Sequence, residues 1–146
     1  ASAISDTGLA NWVGQGVHAL SEWPIPLVLV STVALIVLLT EITSNTATTA
    51  AFLPILGAVA VEFGENPFLF AVPAALGASC AFMLPVATPP NAIVYGSDLL
   101  TIPKMTRAGV WLNLLFVVVV TALAYALIGV AFNVELGTLP TWAVKG

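Results

Sequence analysis

Hydroxyl, amide and carboxylate groups crowd into one stretch, Thr40-Glu41-Ile42-Thr43-Ser44-Asn45-Thr46-Ala47-Thr48-Thr49, of an otherwise largely apolar chain. These are hard oxygen ligands. They suit alkali or alkaline-earth cations, and beside free backbone amides they suit small oxyanions. They are a poor set for acid–base or covalent chemistry. The chain holds no Ser/His/Asp grouping, no spaced carboxylate pair and no histidine cluster. His18, the one histidine, reads as a solvated or simply hydrogen-bonded side chain. Gly14 and Gly16 follow no strand and form no phosphate loop, and Ser97-Asp98 reads as a helix cap. The chain is therefore not read as an enzyme. A second polar interruption, Pro85-Val86-Ala87-Thr88-Pro89-Pro90-Asn91-Ala92, lies further along.

Of 146 residues, 60% are hydrophobic and 7% charged. Soluble domains carry about a quarter charged residues, so this composition belongs in a lipid bilayer. Three basic residues form no patch for nucleic acid. Cys80, the lone cysteine, excludes an internal disulfide and a thiolate metal site and reads as a small core residue. The chain begins at Ala1 with no basic leader and is read as a piece of a longer one.

The runs flanking the first polar stretch, from Ile25 to Leu39 and from Ala50 to Val61, are each too short to span. A helix over 25–40 would be about 24 Å long, against a hydrocarbon core of about 30 Å. Residues 24–63 thus predict a re-entrant helical hairpin with its tip at 43–46. A single polar-interrupted spanning helix is the plainer alternative, but it would strand Glu41 near mid-bilayer, where carboxylates are rare and functional. Residues 68–99 predict a discontinuous transmembrane helix broken at 85–92, where adjacent prolines remove amide donors. Residues 103–132 predict one full transmembrane helix. Residues 1–23 predict an interfacial amphipathic helix, capped by Thr7, with Trp12 and Trp23 at headgroup depth. Lys104 and Arg107 place their loop in the cytoplasm, which puts Glu62, Glu65 and the 133–146 tail, with Lys145, outside.

Two interrupted helices at membrane depth are the pattern of a secondary-transporter site. The first hairpin arm ends in unpaired carbonyls that suit Na⁺, and the second begins with unpaired amides that suit a carboxylate or sulfate. Ser44, Asn45 and Thr46 can serve either ion, and so can Asn91 at the second break.

The stretch at 40–49 resembles the Ser-Asn-Thr hairpin motif of the divalent anion/sodium symporter family, the dicarboxylate, citrate and sulfate transporters. Ser79-x-x-Phe82-x-x-Pro85-Val86-Ala87-x-x-x-Asn91-x-Ile93-Val94 resembles that family's second signature. The resemblance covers nearly the whole chain but only the C-terminal half of the family's fold. It implies an all-α integral membrane fold that is half of an inverted-repeat, elevator-type transporter. The missing N-terminal half would supply a second hairpin, and the complete protein would be a homodimer in the inner or plasma membrane. It also implies Na⁺ as the coupling ion, held by oxygens around Thr40, Thr43, Asn45, Ala87, Thr88 and Pro89. The substrate, a C4-dicarboxylate, would be met by Ser44, Asn45 and Thr46 with Pro89 and Asn91. Glu41 is expected in a structural or electrostatic role, anchoring the tip or ligating Na⁺.

Other readings are a sulfate or other oxyanion symporter, a membrane structural subunit whose breaks are packing kinks, and a channel. Sodium-dependent binding separates the first reading from the structural subunit.

Overall fold

In the computed structural model, residues 7–17 and 22–143 are described; His18 and Lys145 fall outside them. The described residues form six helices and no strand: α1 (Leu9–Gly16), α2 (Ile25–Thr40), α3 (Asn45–Glu62), α4 (Phe68–Gly77), α5 (Pro89–Tyr95) and α6 (Ile102–Phe132).

Among them, α6 alone is long and apolar enough to cross a bilayer by itself. Its 31 residues run from a Thr101 N-cap, with Pro103 in the first turn, to Asn133 in the left-handed conformation, whose N–H reaches Gly129 O. Most of its surface is exposed in this chain, including Trp111, Val118, Leu123 and Val130. An exposed apolar surface of this extent needs lipid or further protein around it.

α2 and α4 are shorter apolar helices. α2 packs on α4 and α6, whereas α3 packs on α1 and α4, so the two arms share α4 and differ in their other neighbour. One core layer gathers Leu29, Ile36, Leu56, Ala60, Leu69 and Phe70. A second joins Val33 and Val37 of α2 to Cys80 and to Val117 and Val120 of α6. Of the region expected as an interfacial helix, α1 is the described helical part, and Trp12 and Trp23 are exposed.

A four-residue turn, Glu41–Ser44, joins α2 to α3. α3 stops at a Schellman-type turn: Gly64 takes φ +70°, Gly64 N donates to Val61 O, and Glu65 N donates to Ala60 O at 2.8 Å. Glu65 is buried, and its Oε2 accepts from Gly137 N at 2.8 Å. That bond puts the α3–α4 loop and the chain beyond α6 at one end of the molecule.

The break in the second helical region differs from the 85–92 expected. α4 ends at Gly77, and residues 78–88 are non-helical. Pro89 and Pro90 fall in the first turn of α5, where their missing amides cost nothing. The prolines set where helix resumes. Where it stops is set by tertiary demand: Gly77 presses on α2, where an added Cβ would lie 3.2 Å from Val33 Cγ1, and the next residues are drawn to side chains of the α2–α3 turn.

Candidate ion and substrate site

The last turn of α2 and the first of α3 meet at a cluster of oxygens. Thr40 is fully buried. Its Oγ1 lies within hydrogen-bonding distance of Asn45 Oδ1 and, at 2.7 Å, of Ala78 O. Both partners are acceptors, and the hydroxyl has one proton to give. The cluster is therefore rich in lone pairs and short of protons, the condition that favours a hard cation. Beside it, Thr43 Oγ1 lies 2.6 Å from Leu39 O and 2.6 Å from Thr48 Oγ1.

Ser44 caps α3 by accepting from Ala47 N at 3.4 Å. The N-terminus of α3 then opens on a groove of about 330 Å³ lined by Asn45, Thr46, Thr49, Ala50, Leu53 and Ser79. The Thr46 side chain is exposed and makes no hydrogen bond among the described residues. A helix start carries a partial positive charge, so the polar end of the groove suits an anion. Oxygen cluster and groove share Asn45.

Glu41 follows Thr40 and is 3% exposed. An unpaired carboxylate at that burial would be very costly. Instead both its oxygens accept. Oε1 takes Phe82 N at 2.8 Å and Met83 N at 3.0 Å; Oε2 takes Met83 N at 3.0 Å and Leu84 N at 3.1 Å. Asn113 Nδ2 of α6 adds a bond to Oε1 at 2.6 Å. One side chain so links the α2–α3 turn, the non-helical segment and the long helix.

Three further backbone carbonyls of that segment are also met by side chains. Asn91 Nδ2 donates to Ala81 O at 2.9 Å and Leu84 O at 3.0 Å. Thr106 Oγ1 donates to Met83 O at 3.2 Å. Thr88 caps α5, accepting from Asn91 N at 3.4 Å. Gly109 lets α6 approach: a Cβ there would lie 2.6 Å from Met83 Cα and collide with Phe82 O.

The structure brings Thr40, Asn45 and Thr46 together, with Ser44 and Thr43 adjoining. It does not hydrogen-bond this tip to Ala87, Thr88, Pro89 or Asn91, which meet the start of α5. The part of the break that faces the tip is its beginning, Ala78 to Leu84. Four residues beyond the predicted set join the site: Ala78 through its carbonyl, Ser79 in the groove, Asn113 on Glu41 and Gly109 at the crossing. Ser79 stands in the second signature. Asn113 carried a signal as a polar residue within an apolar run, whereas Ala78 and Gly109 had none. Among the described residues no group of three or more His, Cys, Asp or Glu gathers, so a cation here would be held by neutral oxygens.

The chain is similar in sequence to known proteins. Residues 1–132 match the family described as the sodium:sulfate symporter transmembrane region. The chain is 48% identical, over 92% of its length, to the sodium-dependent dicarboxylate transporter SdcS of Staphylococcus saprophyticus, and 41% identical over 93% to SdcS of Staphylococcus aureus strain MRSA252. It spans 26% of the length of each. With the match covering all six helices, this chain belongs to the sodium:sulfate symporter family of membrane transport proteins.

Proposed function

We propose that this chain supplies one Na⁺ site and part of the substrate site of a sodium-coupled C4-dicarboxylate transporter. The observation that carries the reading is the oxygen cluster of Thr40, Asn45 and Ala78, with one proton among three oxygens, adjoining the open start of α3. Na⁺ sits among Thr40 Oγ1, Asn45 Oδ1 and backbone carbonyls, with Thr43 beside it and the Ala87–Thr88–Pro89 stretch closing in when substrate and the rest of the transporter are present. A carboxylate of the substrate meets the first amides of α3, with Ser44, Asn45, Thr46 and Ser79 donating. The second carboxylate, Pro89 and the far wall of the groove belong with residues beyond this chain. Asn91 acts by holding the non-helical segment in shape, and Glu41 acts as an anchor and not a ligand, because its oxygens are already occupied by N–H donors.

The same reading makes α2–α3 a re-entrant hairpin and α4–α5 a broken membrane helix. The chain becomes part of the moving body of an elevator-type, multi-pass, dimeric transporter in the plasma or inner membrane. The dicarboxylate is preferred because the similar transporters carry that name at 48% and 41% identity. Sulfate is the second reading, favoured by the family description. Uptake of labelled succinate into proteoliposomes of a complete transporter containing this segment tests both. A Na⁺ gradient should drive uptake, and unlabelled fumarate should compete while sulfate does not. Uptake indifferent to Na⁺ would overturn the proposal; competition by sulfate alone would select the second reading.

A further inference from the structure

Asn113 is 4% exposed, lies on α6, and uses only half of its amide. Nδ2 donates to Glu41 Oε1 at 2.6 Å, while Oδ1 has no partner among the described residues. A buried acceptor left unsatisfied opposes folding, and a leucine of similar shape would remove the penalty. The donated bond to the carboxylate and the unsatisfied acceptor roughly offset each other, so net stability alone does not account for an asparagine here. The donated bond does, because its acceptor is the carboxylate that organises the ion site.

The chain of contacts is short. Asn113 fixes the rotamer and plane of the Glu41 carboxylate. That carboxylate fixes the amides of Phe82, Met83 and Leu84. Glu41 is also the residue after Thr40, whose hydroxyl stands between Asn45 Oδ1 and Ala78 O. One turn before Asn113, Gly109 brings α6 onto the backbone of Phe82 and Met83, and Thr106 holds Met83 O. Thr106, Gly109 and Asn113 thus form one stripe of α6 against which the site-forming segment is seated.

We propose that Asn113 is a positioning residue for cation binding: through Glu41 it holds the Thr40–Asn45–Ala78 oxygens at the spacing an alkali cation needs. It touches neither ion nor substrate. This inference rests on the sodium-site reading above. Loss of the amide should weaken Na⁺ binding without changing the transport step once the site is filled.

The test is Asn113→Leu in a complete transporter containing this segment, with succinate uptake measured across a Na⁺ series. Half-saturating Na⁺ should rise by at least about fivefold, within the range of site-to-site coupling. The maximal rate per inserted copy, at saturating Na⁺, should stay within about twofold of the parent's on the same coupling argument. Thr121→Val, which removes another buried and unpartnered polar group from the same helix, should shift neither quantity. If the leucine variant does not reach the membrane, Asn113→Ser, which deletes the amide without placing an alkyl group against the carboxylate, carries the same readout. An unchanged half-saturation with a lowered maximal rate would make Asn113 merely structural and overturn the inference. Na⁺-independent uptake by the parent would instead refute the sodium-site reading beneath it.

Discussion

Glu41 holds the middle of the site with its bonds from Phe82 N, Met83 N, Leu84 N and Asn113 Nδ2, and each bond to a charged group contributes about 1.5–3 kcal/mol. Glu41→Gln replaces one accepting oxygen with a donor that faces other donors. We expect that variant to lose at least one such bond and about 2 kcal/mol or more of stability, read as a lower thermal midpoint of the purified complete transporter. An unshifted midpoint would mean that the carboxylate is not the anchor. Thr121 gives the opposite expectation. Its hydroxyl is buried without a partner, so Thr121→Val should be neutral or stabilising by up to about 1 kcal/mol in the same assay. At this scale the sequence made Thr40, Glu41 and Asn45 readable, because polar groups inside apolar runs announce themselves. Asn113 stands in an apolar run in the same way, but the partner that explains it lies 72 residues away and could not be read locally.

The crossing of α6 over the non-helical segment depends on the absence of a side chain at position 109. Gly109→Ala drives a Cβ into backbone of Phe82 and Met83, which no rotamer change relieves. It should cost about 3 kcal/mol or more and lower the yield of folded transporter. Gly57→Ala on α3 meets open space and should raise the midpoint slightly, a gain of about 0.5–1 kcal/mol from helix propensity. Equal effects of the two substitutions would mean that α6 does not seat against the segment as closely as described. The long apolar pattern of α6 was legible, as was the polar turn between α2 and α3; the restart of helix at Pro89 was not, since the break was expected to run through both prolines to residue 92. The early end of α4 was not. Local pattern allows helix through Leu84, and the unwinding at Ala78 follows from hydrogen bonds that Thr40 and Glu41 demand from across the fold. For the same reason the site faces Ala78 and Ser79, while Ala87 to Asn91 serve the start of α5.

For the molecule in its membrane, the Glu65–Gly137 bond puts the α3–α4 loop and the chain after α6 at one end, and the basic pair Lys104 and Arg107 stands at the other end of α6. With that pair cytoplasmic, single cysteines introduced in intact cells should react with an impermeant reagent at Glu135 and not at Lys104; the native Cys80 is buried and should stay silent. The reverse pattern would invert the topology. In the proposed site two ligands share one tip. Na⁺ among the oxygens of Thr40, Asn45 and Ala78 would fix the turn, and the fixed turn would aim the first amides of α3 at the substrate. Coupling of this kind is reciprocal, typically about 1–3 kcal/mol. The most direct measurement is succinate uptake by proteoliposomes of the complete transporter over a grid of Na⁺ and succinate concentrations, for the parent and for Thr46→Ala. We predict that the substitution raises the half-saturating concentrations of both together, and that each ligand's apparent affinity in the parent improves with the other. A Thr46→Ala variant with both values unchanged would contradict a shared, coupled site at the start of α3.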